Sequence, residues 1–181
     1  LRVLDMLNVK YIIDLNESGN IELKINEDVM GSAWFVDEVQ KVTDSNQELL
    51  GLSSIDYKKT CLSTNLNNKT YPDSSENYIE IVDKRANQIT YKVSSNDTGF
   101  VVFSEAFYKN GWVAKINGEV TDIHKVNYLL RGLEVEGGEH EIVFTFEPNV
   151  IKTGTLLMAS SNILLLILVF FSFRNMIKNV Q

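Results

Sequence analysis

Cysteine, histidine and proline are scarce in this chain of 181 residues. The one cysteine, Cys61, excludes an intrachain disulfide, and no CxxC or Cys/His cluster points to zinc. In its setting, YKKTCLST, it reads as a structural bystander. The two histidines, His124 and His140, have no second His or Cys at metal-ligand spacing and read as structural or surface residues. No P-loop, GxGxxG, GxSxG or HExxH pattern occurs, so common nucleotide, hydrolase and zincin chemistries lack a signature, and no metal or cofactor is expected. Basic residues are outnumbered, 17 Lys and Arg against 24 Asp and Glu. That balance argues against nucleic acid as a partner, because phosphate contacts need Lys and Arg. It also argues against lying flat on anionic lipid. The chain opens LRVLDML, with neither an initiator Met nor a signal-peptide pattern, so a piece of a longer protein is expected.

What the chain does have is one long apolar run, Thr153–Phe173, TGTLLMASSNILLLILVFFSF, without a charge. As a helix it spans roughly 30 Å, the thickness of a bilayer's hydrocarbon core. A buried helix of a soluble protein is the alternative, but such helices rarely lack a polar face. Residues 153–173 are therefore expected to cross a membrane, with 174–181 as a tail. Arg174 and Lys178 follow the span and Lys152 precedes it, which favours a cytoplasmic tail and an extracytoplasmic location for residues 1–152. A tail-anchored cytoplasmic protein is the competing topology. Removing Arg174 and Lys178 from the chain's charge of −7 leaves −9 on residues 1–152. Ser160, Ser161 and Asn162 interrupt the apolar run, and Asn162 is expected to face a neighbouring helix rather than lipid.

Upstream, β signals dominate. Leu1–Leu7 reads as a short helix ended by Asn8, and Val9–Asp14 as a strand. Asn16–Asn20 is dense in turn formers. Ile21–Ile25 alternates apolar and charged residues, predicting a half-buried antiparallel strand. Ala33–Val42 reads as one strand. Asp44–Leu52 reads as a helical turn capped by Asp44 or Ser45, with Glu48 placed as in a capping box and Leu49, Leu50 and Leu52 as its apolar side. The polar stretch 63–77 reads as a loop. It separates an α/β part, 1–62, from a strand-rich part, 78–150. In the latter, strands over Tyr78–Lys84 and Gln88–Ser94 precede FVVF at 100–103, an unbroken run expected of a central strand. Gly111–Ile116, the turn Asn117-Gly118 and a return strand Glu119–His124 form a hairpin. Tyr128–Val135 and Glu139–Glu147 close the series. The fold class predicted is mainly β, an antiparallel β-sandwich followed by one C-terminal transmembrane helix.

Chemistry concentrates in Ser104–Trp112, SEAFYKNGW. Glu105 stands before a turn carrying Phe107, Tyr108 and Trp112. Rings beside a carboxylate suit a sugar, because rings stack on a pyranose face and the carboxylate accepts from hydroxyls. Equally, a hairpin can use its aromatics to plug the core. Arg131, in NYLLRG, either binds a phosphate or carboxylate in bidentate fashion or pairs with an acid such as Glu105. Glu105, Tyr108, Trp112 and Arg131 are the candidate substrate-binding residues, and none is read as catalytic.

The order of these motifs resembles the YfhO family of bacterial membrane proteins. Ser104–Trp112 with Asn117-Gly118 is similar to the family's E-x-(Tyr/Phe)-Tyr-x-x-Gly-Trp … Asp/Asn-Gly signature. Asn127-Tyr128 with Leu130-Arg131-Gly132 resembles its N-Y-x-x-R-G segment, and Gly138-Glu139-His140 through Pro148 resembles its G-x-H … P close. Gly154 then opens a final span. Upstream, MLNVKYII (Met6–Ile13) and GSAWFV (Gly31–Val36) resemble two further segments. Ser32 and Phe107 depart from the common Asn and Tyr. The resemblance implies a multi-pass parent in the bacterial cell membrane, built like the GT-C glycosyltransferases. Such proteins transfer sugar from an undecaprenyl-phosphate carrier to a cell-envelope polymer such as lipoteichoic acid. Their catalytic acid lies in a loop near the N-terminus, outside this region, so this chain is implied to be an accessory, acceptor-binding part. The implied partners are the bilayer, other transmembrane helices of the same protein, the glycan and the carrier sugar. A non-enzymatic, membrane-anchored carbohydrate-binding or scaffold module is the alternative.

Overall fold

The computed structural model describes residues 2–16, 19–74 and 76–178. Leu1 of the expected helix, Glu17-Ser18 of the expected turn, Ser75 of the loop and 179–181 of the tail lie outside the described residues. In chain order, α1 (Arg2–Met6) precedes a hairpin of β1 (Tyr11–Leu15) and β2 (Ile21–Ile25). Then come β3 (Ala33–Val36), β4 (Glu38–Lys41), α2 (Ser45–Gly51), β5 (Thr60–Ser63) and β6 (Lys69–Thr70). The strand-rich part holds β7 (Tyr78–Arg85), β8 (Gln88–Ser95), β9 (Gly99–Ala106), β10 (Trp112–Ile116), β11 (Glu119–Thr121), β12 (His124–Val126), β13 (Leu130–Val135) and β14 (Gly138–Phe146). The helix α3 (Asn149–Lys178) ends the chain.

The FVVF run lies in β9, and both of its faces are buried. One antiparallel sheet runs β12-β13-β9-β3, with β9 between β13 and β3. A second runs β11-β10-β14-β8-β7. Alternate side chains of β9 supply two cores, as a period of two requires. Val101 and Phe103 face the five-stranded sheet, packing with Tyr91, Ile142 and Phe144. Phe100 and Val102 face the other way, onto Met6, Val39, Leu52, Cys61 and Leu62 of α1, α2 and the small sheet β5-β4-β6. The molecule is thus an antiparallel β-sandwich with a third layer on its four-stranded sheet. Gly132 belongs to this packing, since a Cβ there would lie 2.6 Å from the Phe100 ring.

Several local expectations needed correction. Ala33–Val42 is two strands in two sheets, broken at Asp37, whose backbone N–H turns to donate to Lys59 O at 2.7 Å. The return strand after Asn117-Gly118 is also split. The turn has positive φ at both residues, 52° and 90°, as a two-residue hairpin requires, but β11 stops at Thr121 and β12 joins the other sheet. Asp44 caps α2 by accepting from the N–H groups of Asn46 and Gln47. Glu48 is one residue too late for a capping box and is instead wholly buried, with Lys125 Nζ at 3.4 Å. That approach is an ion pair without hydrogen-bond geometry to either carboxylate oxygen. Of the three leucines there, Leu52 is buried while Leu49 and Leu50 are exposed. The largest departure is β2, which among the described residues pairs with β1 alone and is exposed on both faces.

Candidate functional site

Strand pairing and the seat of Arg131 bring candidate residues to one end of the sandwich. β14 runs down to Phe146, which pairs with Trp112 at the start of β10. β9 runs in the same sense down to Glu105 and Ala106, and Leu130 of β13 pairs with Ala106. The Arg131 guanidinium carbon sits 4.3 Å from the centre of the Trp112 ring and 5.3 Å from that of Phe144. Arg131 Nε–H donates to Ala106 O at 2.9 Å. The arginine therefore ties the two sheets together beneath the indole.

The four residues differ in what they offer solvent. Tyr108 is 56 % exposed and lies beside the Phe146 ring, centre to centre 6.3 Å. Trp112 is half-buried and 5.2 Å from the same ring. Glu105 is partly exposed and accepts from Lys84 Nζ at 2.7 Å, closing the sandwich edge from β7 to β9. Arg131 is only 2 % exposed. Among the described residues its Nη1 has no hydrogen-bond partner, and neither has the buried hydroxyl of Tyr91. Burial holds the guanidinium below its usual range, an effect that Glu105 and Tyr91 oppose. Burial, with Glu105 nearby, pushes the Tyr91 phenol well up, and Arg131 opposes this. The group remains a cation, because guanidinium is not deprotonated in proteins. Its guanidinium stacks on the Trp112 ring in cation–π geometry.

The turn before Trp112 leaves no slack. Glu147 N–H donates to Gly111 O at 2.7 Å, and a Cβ on Gly111 would stand 2.1 Å from the Phe146 ring. Glycine here lets the Tyr108–Trp112 segment lie flat on Phe146. The result is an aromatic edge of Tyr108, Phe146 and Trp112 with a carboxylate at its side.

Two groups emerge to which pattern reading gave no structural role. Asn127 is buried and staples the β12–β13 turn to β5, since its N–H donates to Leu62 O and its Oδ1 accepts from Leu62 N–H. It and Tyr128 both have positive φ, 49° and 68°. An Asn in a positive-φ turn was the available signal. On another face, Glu134 Oε2 accepts from Lys69 Nζ at 2.5 Å and from Tyr71 O–H at 2.7 Å. Tyr71 and His124 flank Phe100 in the same cleft of about 270 Å³. Lys69-Thr-Tyr71 lies in the stretch read as a loop, so nothing linked it to Glu134.

Residues 50–158 match the family described as bacterial membrane protein YfhO. The chain belongs to the YfhO family. The match takes in Glu105, Tyr108, Trp112 and Arg131 as well as the first turns of α3. Comparison with curated proteins and with solved structures returned no match. Membership agrees with α3, where Asn149–Ser172 is long and apolar enough to cross a bilayer, has a mean hydropathy of 2.2 and is not buried against any of the described residues. This YfhO-family chain is a membrane protein region with a β-rich domain.

Proposed function

We propose that this chain is the extracytoplasmic domain and last span of a multi-pass, GT-C-type glycosyltransferase of the bacterial cell envelope. The parent transfers sugar from an undecaprenyl-phosphate carrier to a surface polymer such as lipoteichoic acid, and this region holds the acceptor. Family membership and the one apolar helix support the membrane setting; the GT-C chemistry rests on the family resemblance. Two basic residues beyond the span against one before it support the orientation.

The observation that carries the acceptor role is the aromatic edge itself. Tyr108 offers an exposed ring and Trp112 a half-exposed one, and Glu105 offers a carboxylate for hydroxyls. Only Glu147 and Pro148 separate Phe146 from α3, so the edge stands where the chain meets the membrane. A lipid-linked donor presents its sugar at the same surface. Arg131 acts through Trp112 and is a positioning residue. No residue of this chain is assigned to the bond-making step.

The test is Tyr108→Ala in the intact parent protein, with sugar transfer to the polymer measured against acceptor concentration. Loss of one stacking ring is expected to raise the acceptor KM about tenfold with kcat little changed, a loss near 1.4 kcal/mol and in the range of aromatic contacts. Unchanged transfer by a folded, membrane-inserted variant contradicts the proposal.

A further inference from the structure

The β1–β2 hairpin carries an apolar face that none of the described residues covers. Tyr11, Ile13 and Leu15 stand opposite Ile25, Leu23 and Ile21, and these six side chains are 56 to 78 % exposed. Isolated apolar residues on a surface are ordinary, but six contiguous ones on one face mark an interaction site. The opposite face carries Asp14, Glu22 and Lys24, which pair with one another, beside the partly buried Ile12. Lys24 Nζ lies 3.0 Å from Asp14 and 3.7 Å from Glu22. The hairpin is therefore amphipathic in the manner of an interfacial element, which keeps its charges on one side and its apolar residues on the other.

Hydrogen bonds fix where the hairpin is rooted. Asn26 follows β2 and donates through Nδ2 to Asp5 and to Val9 O. Met30 N–H donates to Asp5 O. Gly31 O and Ser32 O accept from the hydroxyl and N–H of Ser104. Ser104 is two residues from Ala106, whose carbonyl holds Arg131 under Trp112. Trp112 pairs with Phe146, at the exit to α3. The hairpin thus springs from the end of the sandwich at which the chain enters the membrane. That end also exposes Tyr108, Tyr128 and Leu129, aromatic and apolar groups of the kind found at the headgroup level.

We propose that the β1–β2 hairpin lies on the bilayer that α3 crosses, with its six-residue apolar face in the interfacial region and its charged face in water. The occupant of the apolar face is lipid. A bilayer is always present at this end of a chain anchored by α3, and the two five-residue strands, roughly 17 Å long, match contact along its surface rather than penetration across it. The acidic domain makes zwitterionic rather than anionic headgroups the suitable surface. The inference rests on α3 crossing the bilayer and not on the glycan role, so either can fail without the other.

The experiment uses the full chain in phosphatidylcholine vesicles, with a nitroxide placed in turn at Ile13→Cys, Leu23→Cys and Glu22→Cys. Cys61 is fully buried and its thiol is pushed up by burial, so it stays unlabelled; the unsubstituted chain checks this. Relaxation by oxygen, which partitions into lipid, is compared with relaxation by a water-soluble nickel chelate. Oxygen is expected to dominate severalfold at 13 and 23, and the chelate at 22. Equal access of the chelate to all three sites overturns the proposal, because the hairpin then stands free in water. Exclusion of both reagents at 13 and 23 also overturns it, because the face is then covered by protein, whether a second copy or another segment. An unchanged circular dichroism spectrum shows that each labelled chain is folded.

Discussion

Arg131 has almost no water around it and its Nη1 has no hydrogen-bond partner among the described residues, yet two aromatic faces enclose it. Such a cation holds its place through stacking, and the indole it supports inherits that rigidity. Gly111 is the neighbouring constraint. Gly111→Ala forces its Cβ into the Phe146 ring, and overpacking of this kind costs about 1–3 kcal/mol. Lower thermal stability together with altered Trp112 fluorescence is expected, since Phe146 must swing and carries Trp112 with it. Glu134 gives a pH prediction. Desolvation raises its pKa, but the Lys69 and Tyr71 hydrogen bonds outweigh that and leave it lowered. A lowered carboxylate contributes stability above its unfolded value, about 4.3, and loses it as pH falls through the folded value. Thermal unfolding between neutral and acid pH should therefore be less acid-sensitive in Glu134→Gln than in the parent chain. Identical pH profiles contradict this assignment.

At the scale of elements, a strand was legible where its periodicity matched its burial. Ile89, Tyr91 and Val93 alternate with polar residues and are buried, and FVVF is buried on both faces, as an unbroken run implies. Asn117-Gly118 closes its hairpin with positive φ, as read. What was not legible was where a strand leaves one sheet for another. Asp37 and Asp122-Ile123 break runs that read as single strands, because sheet membership is decided by partners distant in sequence. Alternation in Ile21–Ile25 told correctly of a two-faced strand but not of what its apolar face meets. Of the candidate site, proximity was hinted at by the SEAFYKNGW cluster, whereas the seat of Arg131 under Trp112 needs the pairing of β9, β13, β10 and β14. In α3, the Ser160 and Ser161 hydroxyls both donate to Leu157 O, which satisfies them within the helix. The Asn162 amide lies near the middle of the apolar segment, where another helix is its natural partner. Asn162→Leu is expected to weaken assembly of the parent, seen as a lower yield of folded protein in mild detergent; full yield and activity contradict that role.

At the scale of the whole molecule, the sandwich stands on one helix with an aromatic edge beside the exit to the membrane. The central claim is that this edge receives an envelope polymer. Trp112 reports on it directly. The only other tryptophan, Trp34, is buried and donates to Tyr57 O. In Trp34→Phe, emission therefore comes from the edge alone. The decisive measurement is Trp112 emission of that variant in vesicles, titrated with envelope polymers from the producing cells, lipoteichoic acid among them. A saturable change that disappears in Trp34→Phe/Tyr108→Ala is predicted. No change, or a change that survives the loss of Tyr108, contradicts the account.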